Sequence, residues 1–233
     1  SVFPQLEGDA AAGERGLTTR ETRLQMKDIV LRKMIVGEMD TNCYILGCST
    51  TKDGAVIDPG GNPDAIKSAI EDMGLVIRII VNTHGHVDHI SANTEVKEAT
   101  GAELLIHEYD AGMLVDPIAN LSASAFGPVV SPAADRVLVE GDTIKVGILQ
   151  LNVLHTPGHT EGGICLLGRG YVFSGDTLFA GSIGRTDFPG GNPDVLIRSI
   201  KSKLLCLSYK TSVLPGHGPN TTIGNEKECN PYL

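Results

Sequence analysis

Thr83–His89 reads T-H-G-H-V-D-H and follows, after Asn82, on the apolar run Leu75–Val81 (LVIRIIV). A stiff, β-branched run that meets glycine predicts a buried strand handing its C-terminal end to a loop. Neutral imidazole and ionised carboxylate are ligand types that suit zinc, iron and manganese. If the backbone stays extended, His84, His86 and Asp88 share one side and His89 turns to the other. One strand end would then serve two adjacent metal positions. A lone histidine would be read as a surface residue, but four ligand-type residues in this order argue for chemistry.

The 233 residues suit one domain of ordinary to large size or two small ones. No apolar run approaches the roughly 20 residues of a membrane helix, so no membrane partner is expected. A net charge of −9 disfavours nucleic acid, and an aromatic content of 4% without tryptophan offers little for base stacking. Cys43, Cys48, Cys165, Cys206 and Cys229 form no C-x-x-C pair. They are expected to be reduced and mostly buried, which fits a cytoplasmic protein. Residues 1–25 lack core periodicity and a secretory signal, and read as a disordered or added extension ahead of a domain over residues 26–233.

Along that domain the pattern predicts strands at Ile29–Val36, Cys43–Leu46 and Ala55–Ile57, then a helix over Pro63–Met73 closed by Gly74. A helix over Ser91–Thr100, a strand at Glu103–Ile106 and a short helix at Glu108–Leu114 follow. Val115–Asp135 reads as a long loop. The second half predicts strands at Arg136–Val139, Thr143–Val146, Gln150–His155, Gly163–Leu167, Tyr171–Ser174 and Ser212–Leu214, with a helix over Asp194–Leu205. Each half runs strands first and then a strand–helix unit, which suggests two sheets face to face with helices outside.

Three further ligand-type residues share one setting, a strand end beside glycine. They are His159 in H-T-P-G-H-T, Asp176 in S-G-D-T and His217 in P-G-H-G. Glycine lets the backbone present a side chain to a cleft without a Cβ clash, and loops at one sheet edge can converge. His155 and His107 read as structural or substrate-adjacent residues, and Ser174 has no base partner that would make it a nucleophile.

With these residues assembled, the chain resembles the metallo-β-lactamase superfamily. The resemblance rests on Asp58, His84, His86, Asp88, His89, His159, Asp176 and His217 in order. It implies an α/β fold, a four-layer αββα sandwich with the site at one edge. It also implies two divalent metal ions, zinc first and iron or manganese next. His84, His86 and His159 would hold one ion, Asp88, His89 and His217 the other, with Asp176 between them and Asp58 behind the ligands. The closer likeness is to short glyoxalase II-like members, through Asp176–Asn192 (DTLFAGSIGRTDFPGGN), Pro215–Pro219 (PGHGP) and the terminal NPYL. Full-length glyoxalase II has a C-terminal helical domain that helps hold glutathione, whereas sixteen residues follow His217 here. Weak selectivity for the thiol carrier is the expectation.

The implied function is metal-dependent hydrolysis of small-molecule thioesters of the S-2-hydroxyacylglutathione type, by a metal-bridging hydroxide that Asp88 orients or deprotonates. Arg185 would bind a substrate carboxylate or pair locally with Asp187. The alternative is a mononuclear iron persulfide dioxygenase, to which the G-R-T-D-F segment is similar; against it stands His217 in P-G-H-G-P. Lactone or β-lactam hydrolysis and RNA processing are further chemistries of such a scaffold. The oligomeric state is not legible in the chain.

Overall fold

The computed structural model describes residues 28–125 and 127–233, so the expectation for residues 1–25 lies outside it. Six strands, β1 (Ile29–Val36), β2 (Thr41–Cys48), β3 (Asp53–Ile57), β4 (Val76–Val81), β5 (Glu103–His107) and β6 (Arg136–Leu138), form one sheet in chain order. The chain continues through β7 (Thr143–Val146), β8 (Leu149–His155), β9 (Ile164–Leu167), β10 (Tyr171–Gly175), the small hairpin β11 (Leu178–Phe179) and β12 (Ser182–Ile183), β13 (Ser212–Pro215) and β14 (Thr221–Thr222). The second sheet has the order β14-β13-β10-β9-β8-β7.

Helices α1 (Pro63–Met73), α2 (Val87–Ile90) and α3 (Asn93–Thr100) serve the first sheet. After them come α4 (Ser122–Ala125), α5 (Pro193–Ser199) and α6 (Ile223–Cys229). Pro193 opens α5 with a fixed φ, and the Asn192 side chain accepts from the Val195 N–H at 3.1 Å. A π-helical turn over Ile200–Leu204 then carries the same helix on.

The wholly buried strand β2 shows how the layers arise. Tyr44 and Leu46 face the other sheet and pack with Leu151, Leu166, Phe173 and Leu214. Their neighbours Cys43 and Ile45 face the opposite way, against Ile66, Ile70 and Val96 of the helices. The second sheet repeats this, with Cys165, Val172 and Val213 turned toward Leu196, Ile200 and Ile223. A strand covered on both faces reads as an apolar run rather than an alternation. The result is the expected αββα sandwich.

Where the structure departs from the expected pattern, the cause is local. The backbone is extended only as far as His86 (ψ 150) and turns helical at Val87. The Val87 N–H is tied to the Asn120 carbonyl at 2.9 Å and the His89 N–H to His86. The loop over residues 115–135 contains the turn α4, and β14 with α6 form a C-terminal unit that periodicity did not signal. Cys43, Cys48 and Cys165 are buried and free, while Cys206 and Cys229 are free and exposed. Among the described residues no helix is long and apolar enough to cross a membrane.

The Tyr44 and Phe173 rings meet edge-on between the sheets, centroids 5.1 Å apart. Phe173→Ala is expected to cost about 3–5 kcal/mol, measured by denaturant unfolding. A loss near zero would show that this layer does not hold the sheets together.

Candidate metal centre

Strand direction brings the ligands to one edge. β3 and β4 are parallel, as are β10 and β13. β8 lies two antiparallel steps from β10 and therefore runs with it. The C-terminal ends of these five strands deliver Asp58, the His84–His89 stretch, His159, Asp176 and His217. Hydrogen bonds across the sheets hold the edges together. The Asn42 N–H donates to the Gly216 carbonyl at 2.7 Å, and Asn42 Nδ2 and the Tyr44 hydroxyl both donate to the Pro215 carbonyl at 2.8 Å.

All seven expected ligand residues meet there. His84, His86 and His159 form one group; Asp88, His89 and His217 form another; His84, His89 and Asp176 connect them. Within each group the ligand atoms lie within 4.8 Å of one another. His86 Nδ1 is 3.0 Å from His159 Nε2. Asp88 Oδ2 is 3.1 Å from His217 Nε2 and 3.3 Å from His89 Nε2. Asp176 places Oδ1 3.4 Å from His89 and Oδ2 3.6 Å from both His159 and His217. His84 Nε2, His89 Nε2 and Asp176 Oδ1 are buried without a hydrogen-bond partner. Such atoms are costly to bury unless something satisfies them. Divalent cations fit this donor set, and imidazole with carboxylate suits zinc, iron or manganese.

A supporting layer orients the rings. Asp58 sits at φ 53, a left-handed conformation that aspartate tolerates better than most residues. Its carboxylate accepts from the Thr83 N–H and hydroxyl, both at 2.7 Å, and lies 3.0 Å from His89 Nδ1. Because the Thr83 proton goes to Asp58, the Thr83 oxygen is left to accept from His84 Nδ1 at 3.2 Å. That assigns the His84 tautomer and leaves the Nε2 lone pair facing the centre. His159 Nδ1 donates to the Arg185 carbonyl at 2.7 Å with the same result. The Thr41 hydroxyl donates to Asp88 Oδ2 at 3.0 Å.

Burial, reinforced by the charge of His89, holds the His84 pKa well below its ordinary value. Burial and then His159 bring His86 down to about 3. Both rings are therefore neutral at pH 7, the form that binds metal. Burial alone would raise the Asp88 carboxyl, but His89 and His217 outweigh it and hold the group below the usual carboxylate range. Burial would lower His89, yet Asp88, Asp176 and Asp58 around it raise it.

Arg185 donates from Nε and Nη2 to Asp187 at 2.8 and 2.7 Å, and its guanidinium lies 3.9 Å over the Phe188 ring. The local pair thus shapes the turn, and it is the Arg185 carbonyl that reaches a ligand. His107 and His155 stack on each other at 4.1 Å, outside the ligand groups. Ser174 is buried and donates to the Leu178 carbonyl at 2.8 Å. Thr41 and Thr83 bond to Asp88, Asp58 and His84, and Asp110 accepts from the Gly85 N–H between His84 and His86 and from the Thr160 hydroxyl next to His159. No spacing rule singled out Thr41, Thr83, Asp110 or Thr160, because their partners lie on other strands.

The chain matches the metallo-beta-lactamase superfamily over residues 36–217. It is 37% identical over 200 residues to hydroxyacylglutathione hydrolase GloC of Haemophilus influenzae, covering 82% of this chain and 92% of that one. Its fold is similar to the BLEG-1 B3 metallo-beta-lactamase, with a TM-score of 0.84 and 36% identity over 88% of this chain and 99% of that one. It is also similar to TTHA1623 in a di-iron-bound form, with a TM-score of 0.76 and 35% identity over 87% of this chain and 100% of that one. The chain belongs to the metallo-beta-lactamase superfamily and is a metallo-hydrolase of that group.

Gly60 packs so closely under α2 that a Cβ there would fall 1.6 Å from the Asp88 carbonyl oxygen, whereas a Cβ on Gly112 meets nothing within 4 Å. Gly60→Ala should therefore cost about 1–3 kcal/mol and displace Asp88, while Gly112→Ala stays near neutral. Paired thermal melts check this. Equal melting temperatures for the two variants would contradict the packing.

Proposed function

From that membership we propose that the chain hydrolyses small-molecule thioesters of the S-2-hydroxyacylglutathione type, using two divalent ions, zinc first. The observation that carries the two-ion reading is the second ligand group. His217 closes on Asp88 and His89, so the site offers more donors than a single ion with two histidines and one carboxylate would use. The likeness to GloC supports the thioester, and the di-iron form of TTHA1623 supports a pair of ions on this fold. Free cysteines support a cytoplasmic setting, and a net charge of −9 supports the absence of a nucleic-acid partner.

Ions held by His84, His86 and His159 and by Asp88, His89 and His217, with Asp176 at both groups, would supply Lewis-acid polarisation of the acyl carbonyl and acidify water toward neutral pH. The chain contributes the rest. Asp88, fixed by the Thr41 hydroxyl and kept ionised, accepts a hydrogen bond from the attacking water and aligns it with the carbonyl. Phe188 stands edge-on to His86 at 5.6 Å and Phe179 to His217 at 6.2 Å. These half-buried rings wall the two ligand groups and give the acyl chain an apolar surface. A thiolate leaves readily, so no strong acid is required opposite Asp88.

Metal-supplied protein should hold about two ions per chain. Asp176→Ala is expected to lose metal from both positions, and His217→Ala mainly from the one it shares with Asp88 and His89. Elemental analysis decides this, and a stoichiometry fixed at one under saturating zinc, iron and manganese would favour the dioxygenase.

The reaction itself should release free thiol from S-lactoylglutathione, stop with chelator and consume no oxygen. A simple acyl thioester should differ mainly in KM. Oxygen uptake with glutathione persulfide, without thioester turnover, would overturn the assignment.

A further inference from the structure

Asp110 lies beyond the end of β5 and is almost wholly buried, 1% exposed, yet it belongs to none of the ligand groups. Its Oδ2 accepts from the Gly85 N–H at 3.1 Å and from the Thr160 hydroxyl at 2.7 Å, and its Oδ1 accepts from the Gly162 N–H at 2.7 Å. Gly85 stands between His84 and His86, and Thr160 follows His159. One carboxylate thus fastens the β4 loop of the first sheet to the β8 loop of the second, at the residues that flank one ligand group.

The packing has no slack. A Cβ on Gly162 would fall 2.5 Å from the Asp110 nitrogen and 2.6 Å from Oδ1. A Cβ on Gly85 would fall 2.5 Å from Met113 Cβ, in the turn that follows Asp110. The other ligand group has supports that do not pass through Asp110: Thr41 on Asp88, Asp58 on His89 (Asp58 also reaches His84 through Thr83), and the Asn42–Gly216 bond beside His217.

We propose that Asp110 is a positioning residue that sets the distance between His84/His86 and His159, and with it the affinity of that one metal position. It acts through the two loops and touches neither metal nor substrate. The proposal rests on the two-position reading above. Three charge-assisted hydrogen bonds on one buried carboxylate are strong and directional. Asparagine keeps the shape but turns an amide N–H toward a donor, which loosens the loops without emptying the space.

The test uses the full chain and zinc, with affinity read by competition against a chromophoric chelator. Asp110→Asn is placed in two backgrounds: His217→Ala, which retains the His84/His86/His159 position, and His86→Ala, which retains the Asp88/His89/His217 position. In the first background affinity should fall about 10–100-fold, and in the second by less than about threefold, as expected when only one ligand set loses its support. Near-UV circular dichroism and a cooperative melt show whether each variant is folded. Should Asp110→Asn not fold, Thr160→Val removes one of the three donors at constant shape. It should show the same selectivity with about a 3–10-fold loss. Equal losses in both backgrounds, or none in either, would overturn the proposal. If the backgrounds do not each hold one zinc, the division of ligands falls and the proposal with it; intact stoichiometry without selectivity refutes Asp110 alone.

Discussion

A carboxylate taken out of water has to be answered by hydrogen bonds or by positive charge, and this chain places four of them around one sheet edge. Asp58 is answered by Thr83 and His89, and Asp110 by two backbone N–H groups and a threonine. Asp88 and Asp176 are answered by imidazoles, and Asp176 Oδ1 is left buried without a hydrogen bond. The first pair fixes loops, while the second pair faces inward beside unpaired ring nitrogens. Two aspartates make a scaffold and two make a receptor for cations. The surrounding threonines, glycines and backbone bonds serve to keep these roles apart.

Much of this could be read from the chain, because the ligands fall in local patterns that survive folding. T-H-G-H-V-D-H and the three glycine-flanked sites named the seven residues that the structure brings into the candidate metal groups among the described residues, and strand-first halves pointed to the layers. What could not be read depends on partners distant in sequence or on a helix too short to show a period. Asp110 in H-E-Y-D looks like any polar residue after a strand until Gly85 and Gly162 are seen against it. The turn at Val87 is imposed by Asn120, more than thirty residues on, and it overrode the extended spacing. Thr222, which caps α6 by accepting from the Asn225 N–H at 3.2 Å, has no strong apolar period after it to reveal the helix.

The division of labour between strand ends and loops bears on substrate range. The ligands sit at the ends of strands locked between two apolar layers, where small shifts are resisted by close packing. Phe179 and Phe188, whose rings stand against His217 and His86, lie instead on β11 and on the turn after β12. Similarity of one scaffold to both a hydroxyacylglutathione hydrolase and a B3 metallo-beta-lactamase is what this separation permits. The wall can change while the donor set stays in register.

The parallel seating of β13 beside β10 also fixes when the centre comes into being. His217 arrives only after the chain has crossed over through α5 and laid β13 into the second sheet, and non-local parallel pairings of that kind form slowly. A chain emerging from the ribosome already displays His84, His86, Asp88 and His89, but these cannot converge with Asp176 and His217 until the last quarter has been synthesised. A metal centre built on all seven side chains would therefore be completed late in the life of the polypeptide, and earlier binding to the histidine-rich stretch would compete with sheet assembly.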